Sequence, residues 1–267
     1  MGVITISRGS YSYGKEIAEK LAANLNYECF SREVLLEASA HFNIPELKLI
    51  RAIHDAPSLF GRFRHRKEKY INYIREAFLA HIKKDNIVYH GLAGHFFIKD
   101  IPTILKVRIV ASIEDRVKEE MRRENISKEE AHRLLTKDDD ERRKWSMDLY
   151  GIDTKDPSLY DIVLHIDNLQ VNDAVNVLSD IAKMPCFQTT DEARIMIHDS
   201  YLAAKADSII YGKIPAAEVK CKNSIIYVDI ETTLSLEQEF IVKVNNLLQG
   251  VDGIKEVRVN IIPFESD

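Results

Sequence analysis

Short apolar runs alternate with helical stripes through the first two thirds of this chain. No other feature constrains its fold as strongly. Residues 3–7, 87–90, 105–111 and 161–166 are runs rich in β-branched and aromatic side chains, too short for helices, and read as buried strands. Between them the period changes. Ile17, Leu21 and Leu25 recur every four residues, and residues 66–84 and 114–124 carry helical patterns. Ser127 followed by Glu130 has the spacing of a capping box, which predicts a helix start at Ser127. Strands that alternate with helices pair in parallel, because each crossover returns the chain to the same end of the sheet. The expected class is therefore α/β.

The pattern changes near Pro185. Residues 191–206 read as a helix, and two β-rich runs follow around 218–222 and 224–230. Ser235 and Gln238 repeat the capping-box spacing, which predicts a helix opening at Ser235 with the stripe Leu236, Phe240, Val244 and Leu247/Leu248. Gly250 is a natural stop for that helix, and residues 256–262 read as a last strand. The order α-β-β-α-β describes a compact second unit. The boundary is expected near residue 188, dividing the chain into 1–188 and 189–267.

Composition narrows the function classes. The net charge of −5 lacks the basic excess of a nucleic-acid protein. The three cysteines, Cys29, Cys186 and Cys221, form no C-x-x-C pair and no disulfide framework, which points to reduced thiols and a cytoplasmic setting. No run approaches the ~20 apolar residues of a membrane span. Residues 62–69 form the most basic stretch, with Phe60, Phe63 and Tyr70 interleaved. They suit either an anion site or the polar face of a helix. His90 and His95 bracket 91–94 without the spacing of a zinc site. Asp138, Asp139 and Asp140 read as solvated residues rather than metal ligands, so no metal-ligating residue is assigned.

The sharpest motif is Gly9-Ser10-Tyr11-Ser12-Tyr13-Gly14-Lys15, which fits G-x-x-x-x-G-K with a strand before it and a helix after it. Such a loop turns backbone N–H groups toward phosphate oxygens, and the helix N-terminus adds its dipole. Gly14 permits a close backbone approach. Lys15 supplies a point charge for the β- and γ-phosphates. The next residue is Glu16, where a P-loop usually carries a Ser or Thr that holds magnesium. The other reading of this segment is an ordinary β-turn-α with a solvated lysine. Further along, Arg116, Arg142 and Arg143 have the guanidinium forks that clamp phosphates. They lie in a stretch of mixed charge that also reads as a solvated helix face.

Taken together these segments resemble the cytidylate kinase-like family of P-loop nucleoside monophosphate kinases over roughly residues 1–184. The resemblance is carried by Ile6-Ser7-Arg8 and Ser12-Tyr13-Gly14-Lys15-Glu16-Ile17-Ala18-Glu19-Lys20-Leu21-Ala22, similar to the family's "ISR…GSGGREIAEKLA". The family has Glu at the position of Glu16 and usually arginine at that of Lys15. Residues 112–118 look like the start of the helix before the lid, and residues 136–144 look like the lid. Asp156-Pro157-Ser158-Leu159-Tyr160-Asp161-Ile162-Val163-Leu164 resembles the signature before the last strand and is the most specific of these matches.

The resemblance implies a parallel five-stranded sheet with flanking helices. It implies ATP and Mg²⁺ as cofactors, a nucleoside monophosphate acceptor near residues 31–70 and 91–94, and in-line phosphoryl transfer. Lys15, Arg116 and Arg142 would be catalytic. Arg8, Gly9, Ser10, Tyr11, Ser12, Tyr13, Gly14, Lys15, Glu16 and Arg143 would bind nucleotide. Further positions depart from the family: Leu92 stands at its usual arginine, Ser31 at its usual aspartate, and Tyr11 at a loop glycine. They carry a second reading, a nucleotide-binding regulator with little or no transfer. The C-terminal unit resembles a BON domain in its α-β-β-α-β order and in residues 250–259, which implies docking to a partner or to another copy. It lacks the basic cluster that would seek anionic lipid.

Overall fold

The computed structural model of the chain describes residues 2–9, 13–31, 33–44, 48–49, 61–91, 94–214 and 217–263. Strand β1 (Val3–Arg8) leads to helix α1 (Gly14–Leu25) and strand β2 (Glu28–Phe30). Helices α2 (Glu33–Phe42) and α3 (Gly61–Ile82) precede β3 (Ile87–His90) and the short α4 (Gly94–Phe97). Then come β4 (Leu105–Ala111), α5 (Ile113–Glu124), α6 (Lys128–Tyr150), β5 (Ile162–Ile166) and α7 (Val171–Ala182). The order β2-β3-β1-β4-β5 makes one five-stranded sheet, parallel throughout. With helices on both faces this is the P-loop kinase fold.

Burial explains the strand composition. Five of the six residues of β1 and all four of β3 are buried, since helices cover both faces. One face packs Ile4, Ile6, Val88, Val107 and Ile109 against Ile17 and Leu21 of α1 and Leu178 of α7. The other packs Val3, Ile87 and Tyr89 against Ile74, Phe78 and Ile82 of α3. The predicted cap at Ser127 is present, its Oγ accepting from Glu130 N at 3.1 Å. Ser112 caps α5 in the same way, from Asp115 N at 3.1 Å.

The remaining elements are α8 (Asp191–Ile210), β6 (Ala217–Lys222), β7 (Ile225–Glu231), α9 (Glu237–Leu248) and β8 (Glu256–Ile262). They build a second, three-stranded sheet in the order β6-β7-β8, with β6 antiparallel and β8 parallel to β7. Asn223 and Ser224, both at positive φ, form the two-residue turn between β6 and β7. Asp199 of α8 anchors that turn, accepting from Asn223 N at 2.6 Å and Ser224 N at 2.8 Å.

The expected capping box at Ser235 is absent. Ser235 lies in a 3-10 turn, Leu234–Leu236, and its hydroxyl is 3.0 Å from Thr233 Oγ1. Helix α9 starts two residues later without a side-chain cap, so Leu236 falls outside its stripe. The hydroxyl finds a nearer partner in the preceding threonine, and the cap is lost to that local competition.

Helix α8 serves both cores. Its Ala193, Ile197 and Ala204 pack with α3, while Leu202, Ala206 and Ile210 pack under the small sheet. Polar contacts secure its start. The buried Asp85 carboxylate, just past α3, accepts from Thr189 Oγ1 at 2.9 Å and pairs with Arg194 at 3.1 Å.

Candidate active site

The carboxyl ends of β1 and β4 open onto a cavity of about 460 Å³, with Val163 of β5 beside them. In an open parallel sheet this is where ligands bind, because the loops leaving the strands converge there. Cations dominate its described lining: Arg8 from β1, Arg108 from β4, Arg116 from α5, Arg142 and Arg143 from α6, and Lys155 from the segment after α6. Asp139 is the carboxylate among them.

Local packing sets each group. The parallel register pairs Ser7 with Arg108. Arg108 Nη1 donates to Tyr160 OH at 3.2 Å and lies 3.4 Å from Ser7 Oγ, while its guanidinium sits 5.5 Å from the Tyr160 ring centroid. Tyr160 OH donates to Thr154 O at 3.1 Å, which ties the segment after α6 to the sheet. His95 Nε2 completes the cluster, 3.4 Å from Tyr160 OH. Burial, with Arg108 and Lys106 adding repulsion, pushes the His95 pKa down to about 3, so this imidazole is neutral.

Arg116 is nearly buried, and its Nη2 donates to Asp139 at 2.8 Å across from α5 to α6. The guanidinium lies over Gly9, where an added Cβ would stand 3.6 Å from Arg116 Cζ. Gly14 has a different reason for being glycine. A Cβ there would come within 2.7 Å of Arg8 Cδ, so the missing side chain leaves room for the Arg8 stem. Arg142 Nη1 reaches the Arg8 carbonyl at 3.4 Å. Arg143 grips Asp153 through Nε and Nη2, both at 2.9 Å. The N–H of Lys155 and the Arg143 charge hold that carboxyl below its usual range.

The matched family model covers residues 3–168 and describes the cytidylate kinase-like family. The chain belongs to the cytidylate kinase-like family. Among curated relatives, the cytidylate kinase of Thermococcus kodakarensis is 35% identical over 83 residues, covering 31% of this chain and 42% of that protein. The cytidylate kinase of Sulfurisphaera tokodaii is 31% identical over 104 residues, covering 39% and 57%. The cytidylate kinase-like chain thus spans about half the length of the curated relatives it matches. A crystal structure of a protein from Eubacterium ventriosum shares the fold, with a TM-score of 0.51 at 20% identity, covering 68% of this chain and 98% of that one.

Of the residues expected at the site of this cytidylate kinase-like chain, the structure brings Arg8, Gly9, Arg116, Arg142 and Arg143 to one cavity. Ser10, Tyr11 and Ser12 lie outside the described residues, as do Leu92 and the side chains of 61–68. Lys15 and Glu16 lie on the exposed side of α1. Lys15 Nζ is 3.7 Å from Glu19 and Glu16 is 2.9 Å from Lys20, both pairs one helical turn apart. Tyr13 stands at φ 62°, in the left-handed region, immediately before α1. The family pattern has glycine at this position, and the backbone explains why.

Arg108 and Lys155 escaped the sequence reading. A signal for Arg108 existed: Lys106 and Arg108 alternate with apolar residues in a strand otherwise suited to full burial. For Lys155 there was none beyond its place ahead of the 156–164 signature.

Among the described residues, no three His, Cys, Asp or Glu side chains gather into a metal site. The cavity's carboxylate, Asp139, is engaged by Arg116. This donor set suits a magnesium ion carried on substrate phosphates, since Mg²⁺ keeps its waters and takes few protein ligands. Also among the described residues, no helix is long and apolar enough to cross a membrane.

Proposed function

We propose that this chain is a nucleoside monophosphate kinase, which transfers the γ-phosphoryl group of ATP to a nucleoside monophosphate. The observation that carries the proposal is the cavity at the strand ends, with six cations facing one another across 460 Å³. Phosphoryl transfer needs little covalent help from a protein, only alignment and charge stabilisation. A phosphate oxygen of the acceptor forms the new bond to the γ-phosphorus as the bond to the β-phosphate oxygen breaks, and the diphosphate leaves. Arg116 and Arg142 stabilise the charge on the transferring group, and Arg8, Gly9, Arg143 and the loop at 10–14 hold the donor phosphates. Lys15 joins them by leaving Glu19. That exposed pair is worth only about 0.3–0.5 kcal/mol, so its release costs little. A magnesium ion, when bound, would neutralise part of the charge on the donor phosphates that these cations hold.

The test is a coupled assay with ATP, Mg²⁺ and a panel of monophosphates, CMP first. Diphosphate formation that falls more in kcat than in ATP affinity for Arg142→Ala supports the reading. Absence of transfer to every monophosphate sinks it.

A second reading is favoured by one observation: Lys15 is turned to Glu19, outside the cavity lining. In that reading the domain binds nucleotide as a signal, and the C-terminal unit, read as a BON-like module, docks to a partner protein or a second copy. Tight ATP binding with no turnover would select it.

A further inference from the structure

A second cavity, of about 310 Å³, shares no described lining residue with the first. Its walls come from parts of the chain far apart in sequence. Arg75 comes from α3, Phe96 from α4, Lys99 from the turn after it, Tyr150 and Ile152 from the end of α6 and the residues beyond, and Ser200 from α8 of the C-terminal unit.

Aromatic and cationic side chains meet here. The Phe96 and Tyr150 rings stack with centroids 4.6 Å apart and planes 16° apart. Trp145 is fully buried beside them, 5.6 Å from Tyr150 and 6.1 Å from Phe96. Arg75 is half-buried, and neither it nor Lys99 has a carboxylate within ion-pair distance among the described residues. Asp100 is the acidic residue of the lining and is exposed. Burial pushes the Tyr150 phenol up to about 12, with the Arg75 charge opposing the shift. A partly desolvated guanidinium without a counter-ion is costly, and an incoming anion offsets that cost. The volume is at the small end of ligand pockets, room for one or two fused rings bearing a charged group.

The position also gives the cavity a line to the first site. Tyr150 and Ile152 are followed directly by Asp153, which Arg143 grips, and by Thr154 and Lys155, which line the cationic cavity. We propose that this second cavity is a regulatory site for a small planar aromatic anion, and that its occupancy is transmitted to the first cavity through residues 150–155. The regulatory half rests on the nucleotide-binding reading above; the binding half does not.

Trp145 is the single tryptophan of the chain, so its emission reports on this cavity. The experiment titrates the full chain with naphthalene-1-sulfonate, without nucleotide, following that emission. Saturable quenching is expected, with binding about 10-fold weaker in Arg75→Met, which keeps the apolar stem and removes the charge. Ser200→Leu, which fills the mouth from the other side, should weaken it as well. A wild-type titration with no saturable change overturns the site, and so does an Arg75→Met curve that superimposes on the wild type. The second arm measures affinity for a non-hydrolysable ATP analogue with the probe saturating. A change of about 3-fold or more is expected. An unchanged affinity overturns the coupling and leaves the site standing. Stoichiometric displacement of the probe by the analogue overturns the claim that the two cavities are distinct. Failure of the analogue to bind at all counts against the nucleotide reading, because the first arm is measured without it.

Discussion

The two sheets of this chain are covered differently, and that difference accounts for where chemistry is possible. In the five-stranded sheet, β1 and β3 are buried on both faces, and all strands run the same way. The edge strands β2 and β5 are partly exposed, and every carboxyl end opens on the same side. Loops and helix starts therefore meet at one crevice, where Arg8, Arg108 and Arg116 converge. In the three-stranded sheet β6 and β8 alternate between half-buried and exposed residues, and the outer face carries Glu218, Lys220, Lys222 and Arg258. One face packs on α8 and α9; the other meets solvent. Such a sheet offers a surface rather than a crevice.

The comparison breaks most visibly at the helix the two units share. A boundary near residue 188 assigns α8 to the C-terminal unit, yet Ala193, Ile197 and Ala204 close the core around α3. A fragment 1–188 should therefore melt at least about 10 °C below a fragment 1–213, which keeps that helix, as a loss of several kcal/mol implies. Equal melting temperatures by calorimetry would show that the first unit is complete without α8.

Next in size is the contrast between the cores. Phe78→Ala removes a fully buried ring from the larger core and should cost about 3–5 kcal/mol. Val259→Ala, half-buried in the small sheet, should cost roughly 1 kcal/mol or less. Urea unfolding of both variants checks the ratio, and comparable losses would mean the small sheet is packed as tightly as the large one.

The larger unit should also carry an acid sensitivity set by a buried histidine. His95 is neutral in the fold with a pKa of about 3, whereas the unfolded chain takes up its proton near 6.5. Between those values the unfolded state binds more protons, so stability is lost as pH falls below about 6.5, by roughly 2–3 kcal/mol at pH 4.5. His95→Gln should flatten that limb of the stability–pH curve. An unchanged slope would assign the acid loss to other groups.

The smallest contrast lies in two serines with the same sequence signature. Ser127→Ala should cost about 1 kcal/mol, because its hydroxyl caps α6. Ser235→Ala should fall within about 0.5 kcal/mol of wild type, because Ser235 caps nothing. Chemical denaturation resolves the pair, and equal losses would restore Ser235 as a cap.

The strands were legible because burial on both faces demands largely apolar runs, and residues 3–7 and 87–90 supply them, while in 105–111 the β-branched and apolar residues alternate with Lys106 and Arg108. The β-β-α-β order after residue 215 was legible for a related reason, since a change of period and Gly250 mark its elements. These are local properties. Each depends on a few neighbouring side chains and on backbone preferences that act over a turn or a strand.

Relations between distant segments were not legible. Arg108 joins the site because the register sets it beside Ser7 and Tyr160 OH holds its guanidinium, contacts that span 101 and 52 residues. Lys15 sits within the motif, yet its side chain is drawn to Glu19 one turn along α1. The double duty of α8 was hidden too, since its two apolar faces merge in the sequence into one helical pattern. By itself the sequence determined which segments become strands and helices, and where the cationic cavity would begin. Only the tertiary structure decided which cations face one cavity and which helix closes two cores, because side chains far apart in the chain meet only after the sheet has set their register.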